Sequence, residues 1–286
     1  MVHEYIEKIP GRREDSHKGD YGKVLVIAGS PGMTGAAYLA SQGALLSGSG
    51  LVTCGVPQSL NAIMEVKLTE VMTLALPETQ EGTISAKAKV KILDFAEKCD
   101  VIAIGPGLGR NKDIQTLIND LLEAVEIPVV LDADGINALE GRMEILTKRE
   151  ARTVITPHPG EMSRLMGKSA GIVQSNREEF AKSIAEVTGS VVCLKGHRTV
   201  VASPEGNTYI NETGNSGMAS GGTGDVLTGM IASFIGQGVG DYSAAVCAAY
   251  LHGLSGDIAS EKKGQFSMIA TDLLEYLPEA FKKAGI

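Results

Sequence analysis

Residues 211–229, reading NETGNSGMASGGTGDVLTG, set Gly221, Gly222, Gly224 and Asp225 directly before an apolar run, Val226-Leu227-Thr228-Gly229-Met230-Ile231. Glycine admits the tight, often left-handed backbone that turns consecutive amide N–H groups toward one point. Where such a loop opens a helix, these amides add to the positive end of the helix dipole and together hold phosphate oxygens. A carboxylate at that place repels a bound phosphate. Its chemical use is as a base, taking the proton of a hydroxyl group that attacks a phosphoryl group. Asp is also a favoured helix cap, and an isolated GTGD fits a capping role equally well. The surrounding pattern decides between them.

Four further segments carry chemistry-bearing residues, and each follows a short β-branched or aliphatic run. Ile104 leads into Gly105-Pro-Gly-Leu-Gly109, Leu131 into Asp132-Ala-Asp-Gly-Ile-Asn-Ala138, Ile155 into Thr156-Pro-His-Pro-Gly-Glu161, and Leu194 into Lys195-Gly-His-Arg-Thr199. The runs at 24–28, 51–55, 101–104, 128–131, 153–156 and 191–194 are expected strands. Helical spacing falls between them at 85–97, 113–125 and 177–187, and a small-residue helix runs to about residue 47. Strands separated by helices imply right-handed βαβ crossovers and a mainly parallel sheet covered on both faces. Residues 199–202 and 208–211 flank Pro204-Glu-Gly-Asn207 and predict an added hairpin. The last third, 225–236, 242–260 and 271–283, is expected to be helical. In an open α/β sheet, ligands bind beyond the carboxyl ends of the strands. All four segments sit there, so one shared cleft is expected. No linker or repeat interrupts the pattern, which predicts a single domain over residues 1–286.

Composition narrows the partners. Of 286 residues, 43% are hydrophobic and 21% charged, which predicts a packed globular core. A net charge of −8 argues against nucleic acid or an anionic membrane, and 4% aromatics without Trp argue against base stacking. Cys54, Cys99, Cys193 and Cys247 are widely spaced and form no metal-ligand cluster. The polar amino-terminal stretch is no signal peptide and no run is long enough to span a bilayer, so the reducing cytoplasm is the expected compartment. His3, His17 and His252 have no partner at metal-ligand spacing and are expected to be non-functional.

The motifs GKVLVIAGS, GPGLG, DADGIN, TPHPGEM, KGHRT and NSGMASGGTGDVL, in this order, resemble the ribokinase-like superfamily. More closely, they resemble the ADP/ATP-dependent NAD(P)H-hydrate dehydratases, over essentially the whole chain. The resemblance implies a three-layer αβα fold and a lyase that repairs nicotinamide cofactors whose ring has been hydrated. A nucleoside di- or triphosphate converts the ring hydroxyl into a phosphate leaving group. ADP is the more expected donor, giving AMP and phosphate.

By that resemblance Asp225 is the base and the amides of Gly222, Thr223 and Gly224 are the anion hole. Lys195, Gly196, His197, Arg198 and Thr199, with Gly224, contact the nucleotide. Gly107, His158, Asn137 and Ala40 border the hydrated cofactor, and Glu161 orders Mg²⁺ through water. Asn137 could equally hold its own loop, Glu161 could cap its helix, and Ala40 suits close helix packing. Small-molecule kinases of the superfamily carry Asn where His158 stands. The competing expectation is such a kinase, for a vitamin precursor or sugar; a non-catalytic nucleotide sensor has no use for Asp225. The resemblance further implies a homo-oligomer, a tetramer by its example. The chain length leaves no room for the epimerase domain that some relatives carry, so a separate epimerase would supply the S epimer.

Overall fold

The aliphatic runs become strands buried on both faces. The computed structural model describes residues 2–286. It has nine strands: β1 (Lys23–Ile27), β2 (Leu51–Pro57), β3 (Met72–Leu76), β4 (Val101–Ile104), β5 (Val129–Leu131), β6 (Thr153–Ile155), β7 (Val191–Leu194), β8 (Val200–Ala202) and β9 (Thr208–Ile210). They form one sheet in the order β3-β2-β1-β4-β5-β6-β7-β8-β9. All pairings from β3 to β7 are parallel, and β8 and β9 add to β7 antiparallel. The chain winds from β1 outward to β3, then returns to the other side of β1 with β4. The strand order therefore reverses between β1 and β4, where an open sheet leaves a crevice.

Alternate residues of each strand feed two apolar layers. Val24, Val26, Ala103, Val130 and Val154 pack with the helices Thr34–Leu46, Thr223–Gly236 and Asp241–Lys263. Leu25, Ile27, Ile102, Ile104 and Leu131 pack with Lys89–Ala96, Lys112–Ala124 and Arg177–Thr188. This is the three-layer arrangement expected, with the hairpin at β8 and β9 in place. All four cysteines are buried free thiols. No helix among the described residues is long and apolar enough to cross a membrane.

Several elements went unexpected, among them the following three. β3 is an edge strand whose exposed Met72 and half-buried centre give no clean alternation, and the helix Asn61–Lys67 buries only Met64. The helix Pro159–Met166 starts inside a motif whose prolines suggest a loop; Pro159 instead occupies its first turn, where a missing N–H costs nothing.

The anion-loop helix Thr223–Gly236 is fixed by an intimate crossing with Thr34–Leu46. A Cβ built on Gly229 would collide with the carbonyl oxygen of Ala40. Backbone meets backbone there, so the first turn of the Thr223 helix cannot drift relative to the sheet. Gly229→Ala is expected to destabilise the protein by about 1–3 kcal/mol through overpacking. Urea unfolding should show the lowered midpoint.

Candidate active site

The glycine loop ends at Gly222, whose φ of +93° is the left-handed region that favours glycine. Thr223 begins the helix, and its hydroxyl donates to the carbonyls of Met218 and Ser220, both at 3.1 Å, which closes the loop on itself. Asp225 already donates its N–H to Gly222 O at 3.1 Å. The amides of Thr223 and Gly224 precede the first intrahelical acceptor, so they remain donors at the positive helix end. Thr223 and Gly224 line a cavity of about 640 Å³, bounded also by residues 195–199, residues 213–216 and His252.

Lys195, at the end of β7, is no surface lysine. Its Nζ donates to Asp132 Oδ1 at 2.5 Å and lies 4.0 Å from Glu161 Oε2. Asp132 is 1% exposed, and its other oxygen accepts from Thr228 Oγ1 at 2.7 Å. A Cβ on Gly224 would sit 3.2 Å from the same ammonium, so Lys195 stands beside the anion-loop amides. Burial alone would lower its pKa; Asp132 and Glu161 outweigh burial and hold it above the ordinary lysine value, fully charged.

Asp225, in the first turn of the same helix, lies within electrostatic reach of this group. Burial, followed by repulsion from Asp132, pushes its carboxyl up to about 7 against the opposing pull of Lys195. A carboxyl that titrates near neutrality is matched to taking a proton and giving it up. Glu161 is likewise raised, by burial first, with Lys195 opposing. It does cap its helix, accepting His158 N–H at 2.8 Å. The cap and the cleft are one arrangement, because the cap fixes Glu161 facing Lys195. His158 accepts Gly160 N–H at Nδ1, 2.9 Å, which leaves the hydrogen on Nε2, 3.3 Å from Glu161 Oε1. Burial, then Lys195, lowers its pKa, so it is neutral at pH 7.

Asp132, Glu161 and Asp225 present three carboxyl groups against one ammonium. That imbalance favours a cation, yet no group of three His, Cys, Asp or Glu side chains among the described residues is spaced to hold a metal directly. Such a set suits Mg²⁺ that keeps its waters and takes its remaining ligands from phosphate.

The loop after β4 and Asn137 lie outside the residues that line this cavity, and Gly107 packs against Met33 and Ala36. Ser30 Oγ donates to Gly107 O and Gly29 N–H to Pro106 O, both at 2.8 Å, tying the ends of β1 and β4 at the crevice. Asp134 accepts from Gly109 N–H at 2.8 Å and from Asn137 Nδ2 at 3.2 Å, while Arg164 Nε donates to Asn137 Oδ1 at 2.8 Å. Asn137 therefore holds its loop. Ala40 has no accessible surface, and its carbonyl lies in the crossing with Gly229, as close helix packing requires. Gly196, His197 and Arg198 are exposed at the cavity rim. His252 has a structural partner that its position in the sequence does not show. Its Nε2 lies 2.9 Å from Thr223 O, and burial lowers its pKa to about 4, so a neutral ring donates to the backbone of the anion loop. Only the fold brings residues 252 and 223 together.

A family model described as NAD(P)H-hydrate dehydratase matches residues 24–279. The chain belongs to that family. It is 48% identical over 271 residues to the bifunctional NAD(P)H-hydrate repair enzyme Nnr of Moorella thermoacetica, covering 95% of this chain and 51% of that protein. The chain thus spans about half the length of the bifunctional members it matches. It is 37% identical over 277 residues to the ADP-dependent (S)-NAD(P)H-hydrate dehydratase of Bacillus subtilis, covering 96% and 94%. The crystal structure of the Bacillus subtilis ADP/ATP-dependent dehydratase, co-crystallised with ATP/Mg²⁺, superposes with a TM-score of 0.85 at 34% identity, covering 99% of this chain and 97% of that one. A ribokinase-like superfamily protein from Enterococcus faecalis gives 0.83 at 27% identity, covering 99% and 95%. The dehydratase fold is therefore the ribokinase-like one.

The raised carboxyl of Asp225 burdens the fold. Between about pH 4 and pH 7 the native Asp225 keeps a proton that the unfolded chain releases, so stability falls as pH rises through that window. Asp225→Asn removes the penalty. It should stabilise the protein by about 2–4 kcal/mol at pH 8 and leave it unchanged near pH 4. Denaturant melts at the two pH values check this.

Proposed function

We propose that the chain dehydrates the S epimer of hydrated NADH or NADPH at the expense of ADP, yielding NAD(P)H, AMP and phosphate. One observation carries the proposal: Asp225, a largely buried carboxyl at the amide end of a glycine loop, lies in the field of the part-buried ammonium of Lys195. The family membership supports the substrate, and the name of the Bacillus subtilis relative supports ADP as donor.

Hydroxide is a poor leaving group and phosphate a good one. Asp225 takes the proton of the ring hydroxyl, whose oxygen attacks the terminal phosphorus of ADP. The bond from that phosphorus to the bridging oxygen breaks, and AMP departs. The amides of Thr223 and Gly224, with Gly222 shaping the loop, hold the charge on the transferring group, and Lys195 adds its fixed positive charge. The ring nitrogen then expels the phosphate, breaking the carbon–oxygen bond, and the adjacent ring carbon gives up a proton to restore the double bond. Mg²⁺, when bound, would neutralise phosphate charge, and Glu161 would hold it through water. Residues 195–199 would bind the nucleotide, while Gly107 and the neutral His158 border the hydrated ring. The functional unit is proposed to be a homo-oligomer that takes the S epimer from an epimerase.

The test is incubation of protein, Mg²⁺ and hydrated NADH with ADP, then with ATP. The absorbance of the reduced ring should return with one AMP and one phosphate per ring when ADP is used. A stable phosphorylated product would instead make the protein a small-molecule kinase. Asp225→Asn should lower kcat by about a factor of 10³ while the Kd for ADP stays within about threefold. Because the free carboxyl titrates at about 7, kcat/KM should fall about tenfold for each pH unit below that value. A profile that is flat from pH 5 to 8 would remove Asp225 from the role.

A further inference from the structure

The five-residue connection from β7 to β8, Lys195 to Thr199, has two unusual backbone conformations. Gly196 has φ of +149°, and Arg198 has φ of +57°, a left-handed conformation that a side-chain-bearing residue rarely adopts. Something outside the loop must hold it. Arg177, the first residue of the helix Arg177–Thr188, lies directly against it. Its Nη2 donates to the carbonyl oxygen of His197 and, at 3.2 Å, to that of Arg198. A Cβ on Gly196 would collide with Nη1, which is itself buried without a hydrogen-bond partner.

These contacts fix where the loop's amides point. In a trans peptide, the carbonyl and the following N–H project to opposite sides, and no peptide among the described residues is cis. With the carbonyls of His197 and Arg198 gripped by Arg177, the N–H groups of Arg198 and Thr199 face away from it. Arg198 N–H donates to no backbone acceptor among the described residues, and Thr199 N–H has only the weak turn contact with Gly196 O around His197 and Arg198. Both residues line the 640 Å³ cavity, and Arg177 does not. Successive amides around a left-handed residue form an anion-binding concavity.

We propose that Arg177 is a positioning residue for the nucleotide: by clamping two carbonyls from behind, it presents the Arg198 and Thr199 amides to a phosphate of the donor. This rests on the nucleotide reading of residues 195–199. Arg177 touches neither substrate nor the reacting atoms, so it acts on donor binding and leaves the chemistry at Asp225 alone. Both bonds come from one nitrogen, Nη2, whose two N–H groups diverge within the guanidinium plane; a lysine keeps the charge but not that fixed planar geometry.

The experiment compares wild type, Arg177→Ala and Arg177→Lys, with ADP titrated calorimetrically and by steady-state kinetics. Both variants should raise the Kd and KM for ADP, Arg177→Ala at least tenfold and Arg177→Lys about fivefold. The KM for hydrated NADH should stay within twofold and kcat at saturating ADP within threefold. Added guanidinium should restore ADP binding to Arg177→Ala, and added ammonium should not. An ADP Kd within twofold of wild type, or equal weakening of both substrates, would overturn the proposal; if Arg177→Ala does not fold, Arg177→Lys decides. A wild-type protein that binds no ADP would instead remove the nucleotide reading itself.

Discussion

Asp132 joins three parts of the molecule that the sequence keeps far apart. It stands just beyond β5, holds Lys195 from the end of β7 with one oxygen, and takes the Thr228 hydroxyl from the anion-loop helix with the other. All three meet where water is nearly excluded. A buried ion pair adds little net stability, but losing one partner strands the other and costs about 3–5 kcal/mol. The pair therefore acts mainly as a register pin. It sets the strand ends, the lysine and the first turn of the helix in one geometry, and the cleft exists only in that geometry.

The same pair shapes the reactivity of its neighbour. Asp132 repels Asp225 and Lys195 attracts it, but burial is the leading influence and the carboxyl ends near neutrality. An exposed Asp would be ionised and a weak base. Here the fold tolerates an awkward group in return for one whose proton affinity suits the task, as reactive sites often require. Glu161 shows a second economy: one carboxylate caps a helix, orients His158 and faces the lysine.

What could be read from the sequence follows from how local each signal is. The parallel core strands were legible because strands buried on both faces are continuous aliphatic runs, and the cleft because the motif-bearing turns share the carboxyl edge of the sheet. Edge strand β3, with its mixed burial, left no such trace. Asp225, Lys195, Glu161 and the glycine loop were legible as types in a pattern. The roles of Asp132, Thr228 and His252 were not, because each depends on a partner dozens of residues away. Ala40 shows the same limit. Small residues suit both a ligand wall and a helix crossing, and the crossing with Gly229 is visible only in the fold.

The connections at the carboxyl edge of the sheet are of two different kinds. The loops around Gly107, Asn137 and His158 run into helices packed on the sheet, so a change there disturbs a whole crossover. Residues 195–199 only join neighbouring antiparallel strands β7 and β8 near one end of the sheet. Insertions or exchanges at that hairpin leave every crossover untouched. Under the proposed function, in which residues 195–199 bind the donor, donor preference is consequently the trait this architecture can revise most cheaply during divergence, while the acceptor side stays tied to the helical crossovers.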